Sequence, residues 1–165
     1  MVLSSDYFFP GKPFHFGRNQ LAPKTGGGYP VHGHADYAEI FLIEKGKGAH
    51  LVNGGRQSLG AGDLVFIRKK DQHGFEGREL HIANLSFLEG ILTNLAEKYF
   101  ENKYQFYGAK KLPRRLRLGL GDQEWVQEGF KKLEDPSARR WDLDSFLMAL
   151  FERFGENSIR ASKKE

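Results

Sequence analysis

The chain has 165 residues, which is enough for one domain with a proper core or for a core with a helical appendage. It contains no cysteine, which excludes disulfides, thiolate nucleophiles and cysteine-ligated zinc, and its net charge of +4 permits an anionic partner without requiring one. The sequence has no apolar run of about 18 residues that could span a membrane, and its N-terminus lacks the pattern of a signal peptide. We therefore predict a cytoplasmic protein without membrane contact.

The first half of the chain, residues 1–85, has the pattern of a β-barrel. Phe14 to Gly17 favours an edge strand, and short runs of strand-forming residues then recur with turn residues between them. Asn53-Gly54 is the strongest hairpin signal, because both residues tolerate positive φ. This spacing predicts a mainly β fold, an antiparallel barrel or jelly roll over residues 1–85.

Two histidines one residue apart, His32 and His34, point to the same face if they lie on a strand. Glu39 follows five residues later, so a bulge or tight turn around 35–36 is needed before it can point the same way. His73 comes after another apolar run. Three imidazoles and one carboxylate are a normal ligand set for Zn, Mn, Fe, Ni or Cu, although a His-x-His pair is often an ordinary strand feature.

The hydrophobic period changes to that of helices after Leu85. Ser86 and Glu89 have the spacing of a capping box, and a second helix is predicted from Asp122 to the stop at 135–136. A last helix is predicted from Asp142 or Asp144 to Gly155, with an apolar stripe that is either core or a dimer seam. We predict that residues 86–155 form a helical segment that packs on the barrel, dimerises, or does both, and that 156–165 is a flexible tail.

Residues 101–121 are predicted to be irregular. They contain the main basic cluster: Lys110, Lys111, Arg114, Arg115 and Arg117. Nucleic-acid binding would require an ordered positive face and a recognition element, and no helix-turn-helix pattern is visible. We interpret the cluster as a solvated loop.

The run Gly26-x5-His32-x-His34-x4-Glu39-x6-Gly46 resembles the first signature of the cupin superfamily. The second signature is half kept: Gly62 and His73 match in spacing, whereas Arg68, Lys70 and Gly77 replace its proline, second glycine and asparagine. The resemblance implies a cupin barrel, also called a jelly roll or double-stranded β-helix, followed here by an α-helical segment. It also implies a divalent transition metal (Zn, Mn, Fe or Ni) held by His32, His34, Glu39 and His73.

The order of the whole chain resembles the N-terminal effector and dimerisation domain of AraC-family transcription regulators. Two stretches carry this resemblance: Gly62-Asp-Leu-Val-Phe-Ile67 with His73, and His81-Ile-Ala-Asn-Leu-Ser-Phe87. It implies a small-molecule effector, often a sugar, at the barrel mouth and a homodimer built on the last helices. DNA would be bound only through a helix-turn-helix domain that this chain does not contain.

The predicted effector contacts are of two kinds. Tyr37, Phe41 and Phe66 are expected to supply apolar walls, and Arg18, Arg68 and His50 are the candidate polar contacts. One alternative is a small metal-dependent cupin enzyme, either an oxygenase or a sugar isomerase or epimerase. No acid–base pair near the metal is evident beyond His50 and His81, so we favour the sensor. A second alternative is a barrel with an empty metal site that only packs or binds protein.

Overall fold

A computed structural model of the chain describes residues 1–21, 28–100 and 111–155. The strands in these ranges are β1 (Val2–Leu3), β2 (Phe14–Gln20), β3 (Gly28–His34), β4 (Tyr37–Lys45), β5 (Lys47–Val52), β6 (Gly55–Gly60), β7 (Asp63–Ile67), β8 (Gln72–Glu76), β9 (His81–Leu88) and β10 (Arg115–Arg117). The helices are α1 (Ser5–Phe8), α2 (Glu89–Tyr99), α3 (Leu120–Glu134) and α4 (Arg140–Gly155).

The strands form two five-stranded sheets. The first sheet has the order β1-β3-β8-β5-β6 and the second has the order β10-β7-β4-β9-β2. The predicted mainly β fold with helices at its C-terminal end is thereby confirmed, and β2 lies at a sheet edge as predicted. The hairpin between β5 and β6 is also confirmed, because Asn53 and Gly54 both have positive φ (50° and 75°).

Strand β4 lies in the middle of the second sheet and is buried on both faces. Phe41 and Ile43 point into the barrel and pack with residues of both sheets, including Leu59 of β6. Ile40 and Leu42 point outward and pack under the helices. A strand covered on both sides can be apolar at nearly every position, which explains the continuous apolar run from 40 to 43.

The three longer helices, α2, α3 and α4, pack against the outer face of the second sheet. Phe130 of α3 is fully buried there and meets Phe16 of β2 and Phe146 of α4 at ring-centroid distances of 5.0 and 5.4 Å. Truncating such a phenylalanine costs about 3–5 kcal/mol. The apolar stripe of α4, namely Phe146, Leu147, Leu150, Phe151 and Phe154, is buried in this same cluster. The stripe is therefore core within one chain.

The predicted capping box at Ser86 is wrong. Strand β9 continues to Leu88, and α2 begins at Glu89 without a side-chain cap. The Ser86 hydroxyl instead donates a hydrogen bond to Glu39 inside the barrel (2.9 Å). Ser86 stays in β9 because this strand pairs with both β2 and β4, and these pairings outweigh the local sequence preference for a helix cap.

The observed starts of α3 and α4 differ from the predicted ones by two to four residues, and several other predicted features fall outside the described ranges. Helix α3 begins at Leu120, so Asp122 lies in its first turn, and α4 begins at Arg140. Arg115 and Arg117, predicted to be irregular, lie on the short strand β10, which pairs with β7. Lys110, Gly26 and the predicted tail lie outside the described residues. In the ranges that the structure covers, no helix is long and apolar enough to cross a membrane.

Candidate metal centre

Four side chains from both sheets meet at one point inside the barrel. His32 and His34 lie on β3, His73 is paired with His32 on the adjacent strand β8, and Glu39 lies on β4 of the other sheet. One ligand atom from each lies within 4.8 Å of all the others. All four side chains are buried, with at most 6% of each residue exposed.

Local sequence explains how these strands deliver their ligands. The bend at 35–36 carries the chain from the first sheet to the second, so Glu39 faces the histidines from the opposite wall. Strand β3 shifts its register against β8 between Tyr29 and His32. Gly74 permits this close approach, because a Cβ there would lie 2.6 Å from the carbonyl oxygen of Tyr29.

Two of the three candidate ligand histidines, His32 and His73, have their tautomers fixed by hydrogen bonds on Nδ1. His32 Nδ1 donates to the carbonyl oxygen of Pro30 (3.1 Å). His50 Nδ1 donates to the carboxamide oxygen of Gln57 (3.2 Å), so His50 Nε2 accepts from His73 Nδ1 (3.0 Å). Both His32 and His73 therefore keep an Nε2 lone pair for a metal, an arrangement typical of metal-ligating histidines.

Glu39 is held by two donors that were not predicted from the sequence. Its Oε1 atom accepts hydrogen bonds from Ser86 Oγ (2.9 Å) and Asn84 Nδ2 (3.1 Å). Its Oε2 atom faces His73 Nε2 (3.2 Å) and His34 Nε2 (3.6 Å). Burial by itself raises the pKa of Glu39, but the His73 and His34 rings and the Asn84 amide outweigh burial and lower this pKa to about 2.

Burial favours the neutral form of His32, His34 and His50, and neutral imidazole is the form that binds metal. Burial penalises the charged imidazolium and lowers the pKa of His34 and of His50 to about 4. Burial and the neighbouring His73 also lower the pKa of His32. An ionised carboxylate beside neutral imidazoles is the donor state that a divalent metal requires.

Unpartnered buried nitrogens give a further test of fit. His73 Nε2 and both ring nitrogens of His34 are buried without a hydrogen-bond partner. Buried polar atoms normally have such a partner, and leaving one unpaired costs about 1–3 kcal/mol. His73 Nε2 and His34 Nε2 both face the Glu39 carboxylate, where a metal ion would satisfy all three groups. The residues present therefore fit a divalent metal.

A cavity of about 280 Å³ opens beside the four residues. Its lining includes His32, Glu39 and His73, the aromatic residues Phe8, Tyr29, Tyr37 and Phe75, and the carboxamide residues Asn19, Gln20 and Asn84. Tyr37 thus lies where an effector contact was predicted, and its hydroxyl is buried without a hydrogen-bond partner. Phe41 lies deeper, packed between the rings of His50 and Phe75.

The N-terminal segment covers one side of this cavity. β1 pairs in parallel with β3, and Ser5 donates from its backbone N–H to Asp36 Oδ1 (2.8 Å). The Phe8 ring stacks on Tyr37 at 6.1 Å between centroids and lines the cavity. Leu3 and Phe8 of this segment therefore form part of the cavity wall.

Of the predicted effector contacts only Tyr37 lines the cavity, and two of the others, Phe66 and Arg18, lie on the outer face of the second sheet. Phe66 is on the opposite face of β7 from Val65 and Ile67 and packs on Phe151 of α4 (6.4 Å). Arg18 lies on the outer side of β2 with Phe16 and forms ion pairs with Glu44 and Glu134. Strand parity explains both positions, because alternate residues of β2 and β7 face the helices.

The remaining two predicted contacts are buried but occupied by other partners. His50 binds His73 and Gln57, so it orients a ligand of the proposed metal and does not line the cavity. Arg68 is paired with Asp71 (2.7 Å) and donates to the carbonyl oxygen of Lys111 (3.2 Å). Asn84 and Ser86 are the functional candidates that sequence reasoning missed. Ile82, Asn84 and Ser86 occupy every second position of β9 and so share one face of the strand. This spacing was the available signal.

Replacing Ser86 by alanine is expected to weaken metal binding about 10- to 100-fold without abolishing it, since residues that support a metal ligand have effects of this size. The variant removes one of the two donors to Glu39 Oε1. Competition with a chelator of known affinity measures the effect. Ser58→Ala, an exposed serine on β6, serves as the control and should bind metal as the unmodified protein does. Equal affinities for the two variants would contradict the role of Ser86.

Two curated relatives of this chain are transcriptional activators. The HTH-type transcriptional activator RhaS of Escherichia fergusonii is 33% identical over 97 residues, covering 59% of this chain and 32% of RhaS. RhaS of Yersinia pestis is 34% identical over 87 residues, covering 52% of this chain and 31% of RhaS. The chain thus spans about a third of the length of these curated relatives.

Solved structures agree on the fold. The crystal structure of apo ToxT from Vibrio cholerae has a TM-score of 0.64 and 14% identity, covering 89% of this chain and 57% of that chain. At this identity the likeness shows the fold alone. The model of the AraC-like ligand binding domain matches residues 20–163, well over half of the chain. The chain therefore belongs to the family of AraC-like ligand binding domains.

Proposed function

We propose that this chain is a metal-containing sensor domain, in which His32, His34, Glu39 and His73 hold a divalent transition metal beside an effector cavity. The observation that carries the proposal is the meeting of these four buried ligand atoms within 4.8 Å, next to a cavity of about 280 Å³. The ligand set suits Zn, Mn, Fe or Ni. When bound, the metal would supply a Lewis acid for an oxygen atom of the effector.

The cavity lining favours an uncharged, hydroxyl-rich effector such as a sugar. Its polar side chains, apart from the proposed metal ligands, are the carboxamides of Asn19, Gln20 and Asn84 and the hydroxyls of Tyr29 and Tyr37. Among the residues that the structure describes, no lysine or arginine lines the cavity. Carboxamides and hydroxyls both donate and accept hydrogen bonds, as recognition of hydroxyl groups requires.

A homodimer through the C-terminal helices is part of the proposal. Because the α4 stripe is core, the contact would use outward residues, and Trp141 at the start of α4 is 75% exposed. Trp141→Ala is expected to raise the dimer dissociation constant at least about tenfold, as truncation of a central tryptophan in an interface does. Sedimentation velocity over a concentration series measures this constant.

Tyr99→Ala is the matched control, because Tyr99 is also an exposed aromatic residue (59%) but lies on α2. It should dimerise as the unmodified chain does. A Trp141→Ala chain with unchanged self-association would place the dimer contact elsewhere.

DNA binding would belong to a helix-turn-helix domain outside this chain. A cytoplasmic location remains a prediction.

The test of the proposed function is elemental analysis of protein purified without added metal, followed by thermal melting with a panel of sugars before and after chelation. We expect a stoichiometric transition metal and a sugar-dependent stabilisation that chelation reduces. The enzyme alternative, an oxygenase or a sugar isomerase or epimerase, predicts oxygen uptake or conversion of the sugar by the metal-loaded chain. Protein that binds neither metal nor sugar would overturn the proposal and leave a barrel that only packs or binds protein.

A further inference from the structure

A second cleft of about 620 Å³ lies outside the barrel, between the β7–β8 turn and α2. Lys69 and Lys70 of the turn line one side, and Leu92 and Thr93 of α2 line the other. The cleft and the interior cavity have no lining residue in common. The cleft is therefore a separate space on the molecule.

His34 lines this second cleft, whereas His32 and His73 line the interior cavity. His34 Nε2 faces Glu39 at 3.6 Å, and His34 Nδ1 is buried without a hydrogen-bond partner. The Nδ1 atoms of His32 and His73 both have partners, in Pro30 and His50. Among the three proposed histidine ligands, His34 is thus the one whose Nδ1 atom lacks a hydrogen-bond acceptor. Metal-ligating histidines normally have such an acceptor.

The charges around the cleft favour an anionic acceptor. Arg68 is balanced by its bidentate pairing with Asp71, and Glu89 lies 4.0 Å from Lys69. Lys70 adds a further positive charge at the rim. Helix α2 also begins at this cleft with Glu89 and has no side-chain cap, so the positive end of its dipole adds to the attraction.

We propose that this cleft binds a small organic carboxylate. One oxygen accepts the hydrogen bond from His34 Nδ1–H, and Lys70 neutralises the charge, while Lys69 offsets the neighbouring Glu89. Leu92 and the Thr93 methyl contact the hydrocarbon part. The site requires no metal for its formation. Where the proposed metal is bound, the carboxylate increases the basicity of His34, so carboxylate and metal each strengthen the binding of the other.

The first experiment titrates metal-free protein with sodium benzoate and sodium butyrate at constant ionic strength, with sodium chloride as the reference salt. Amide chemical shifts in a ¹H–¹⁵N spectrum report the position of binding. We expect saturable shifts at Lys69, Lys70 and Thr93 and no shifts at Gln20 or Asn84 of the interior cavity. Shifts confined to the interior, or no saturation by either carboxylate, would overturn the proposal.

Two pairs of variants test the residues. Lys69→Ala/Lys70→Ala should weaken carboxylate binding about tenfold, the effect of losing about one charge-assisted contact. Lys131→Ala/Lys132→Ala changes the net charge equally at an exposed site on α3 and should not weaken it. Thr93→Glu should abolish binding by repulsion, while Asn94→Glu, one residue further along α2, should have little effect. If both members of either pair lose carboxylate affinity equally, the cleft is not the binding site.

A final measurement separates this site from the proposed metal centre. Chelator competition with and without benzoate is expected to show a severalfold gain in metal affinity, absent in Thr93→Glu. A metal affinity that is independent of benzoate would overturn the coupling through His34. If the chain binds benzoate in the cleft but binds no metal, the carboxylate site is upheld and the proposed metal centre is refuted.

Discussion

Replacing His34 by alanine is expected to remove the metal from the protein and, with it, the stabilisation that metal gives. Metal that binds only the folded chain stabilises it by about 2.7 kcal/mol at a concentration one hundred times its dissociation constant. For a domain of this size, 1 kcal/mol corresponds to about 2–4 °C. The unmodified protein should therefore melt about 5–10 °C higher with zinc than with a chelator, and His34→Ala should show no such difference.

The comparison is made within each variant, so a change in intrinsic stability does not affect it. His81→Ala is the matched control, because His81 alternates with Ile82 on β9 and lies on the outer face of the barrel. Its zinc-dependent shift should equal that of the unmodified protein. A zinc-dependent shift that persists in His34→Ala would remove His34 from the ligand set.

The metal-free protein is expected to lose about 3–4 kcal/mol of unfolding free energy between pH 7 and pH 5. The pKa values of His34 and His50 are lowered by burial from 6.5 to about 4 in the folded chain. Between these values the unfolded chain binds protons that the folded chain does not, so stability falls as the pH falls below 6.5. Glu39, with a pKa of about 2, adds a further loss only below about pH 4.5.

Urea denaturation at half-unit pH intervals, with chelator present throughout, measures this dependence. His50→Gln removes one of the two imidazoles whose pKa is lowered to about 4 and should about halve the slope between pH 6.5 and pH 5. His81→Ala should leave the slope unchanged. An unfolding free energy that is constant from pH 7 to pH 5 would show that these histidines are not held neutral by burial.

The grouping of the four candidate ligands could be predicted because their spacing in sequence constrains it. A His-x-His pair on a strand shares a face, and the five-residue step to Glu39 requires a change of direction, which the bend at 35–36 supplies. His73 was identified by its position in the second signature. The structure places all four side chains together, although the sequence shows neither that His32 pairs with His73 nor that Glu39 belongs to the facing sheet.

The residues that support these ligands could not be predicted in the same way. Ser86 fits both a helix cap and a strand, and the deciding partner, Glu39, is 47 residues away in sequence. Phe66 lies in a run of four apolar residues, and such a run does not reveal which residues face inward. A strand that is buried on both faces removes the alternation on which such a prediction depends.

Burial of β4 on both sides also has a mechanical consequence. Glu39 and Phe41 belong to the layer around the proposed metal, while Ile40 and Leu42 belong to the layer beneath the helices. Because close-packed interiors transmit displacement instead of absorbing it, a shift of this strand toward a bound molecule cannot stay within one layer. Binding of a molecule in the cavity and the positions of α2 and α4 are thus mechanically coupled through one strand, β4.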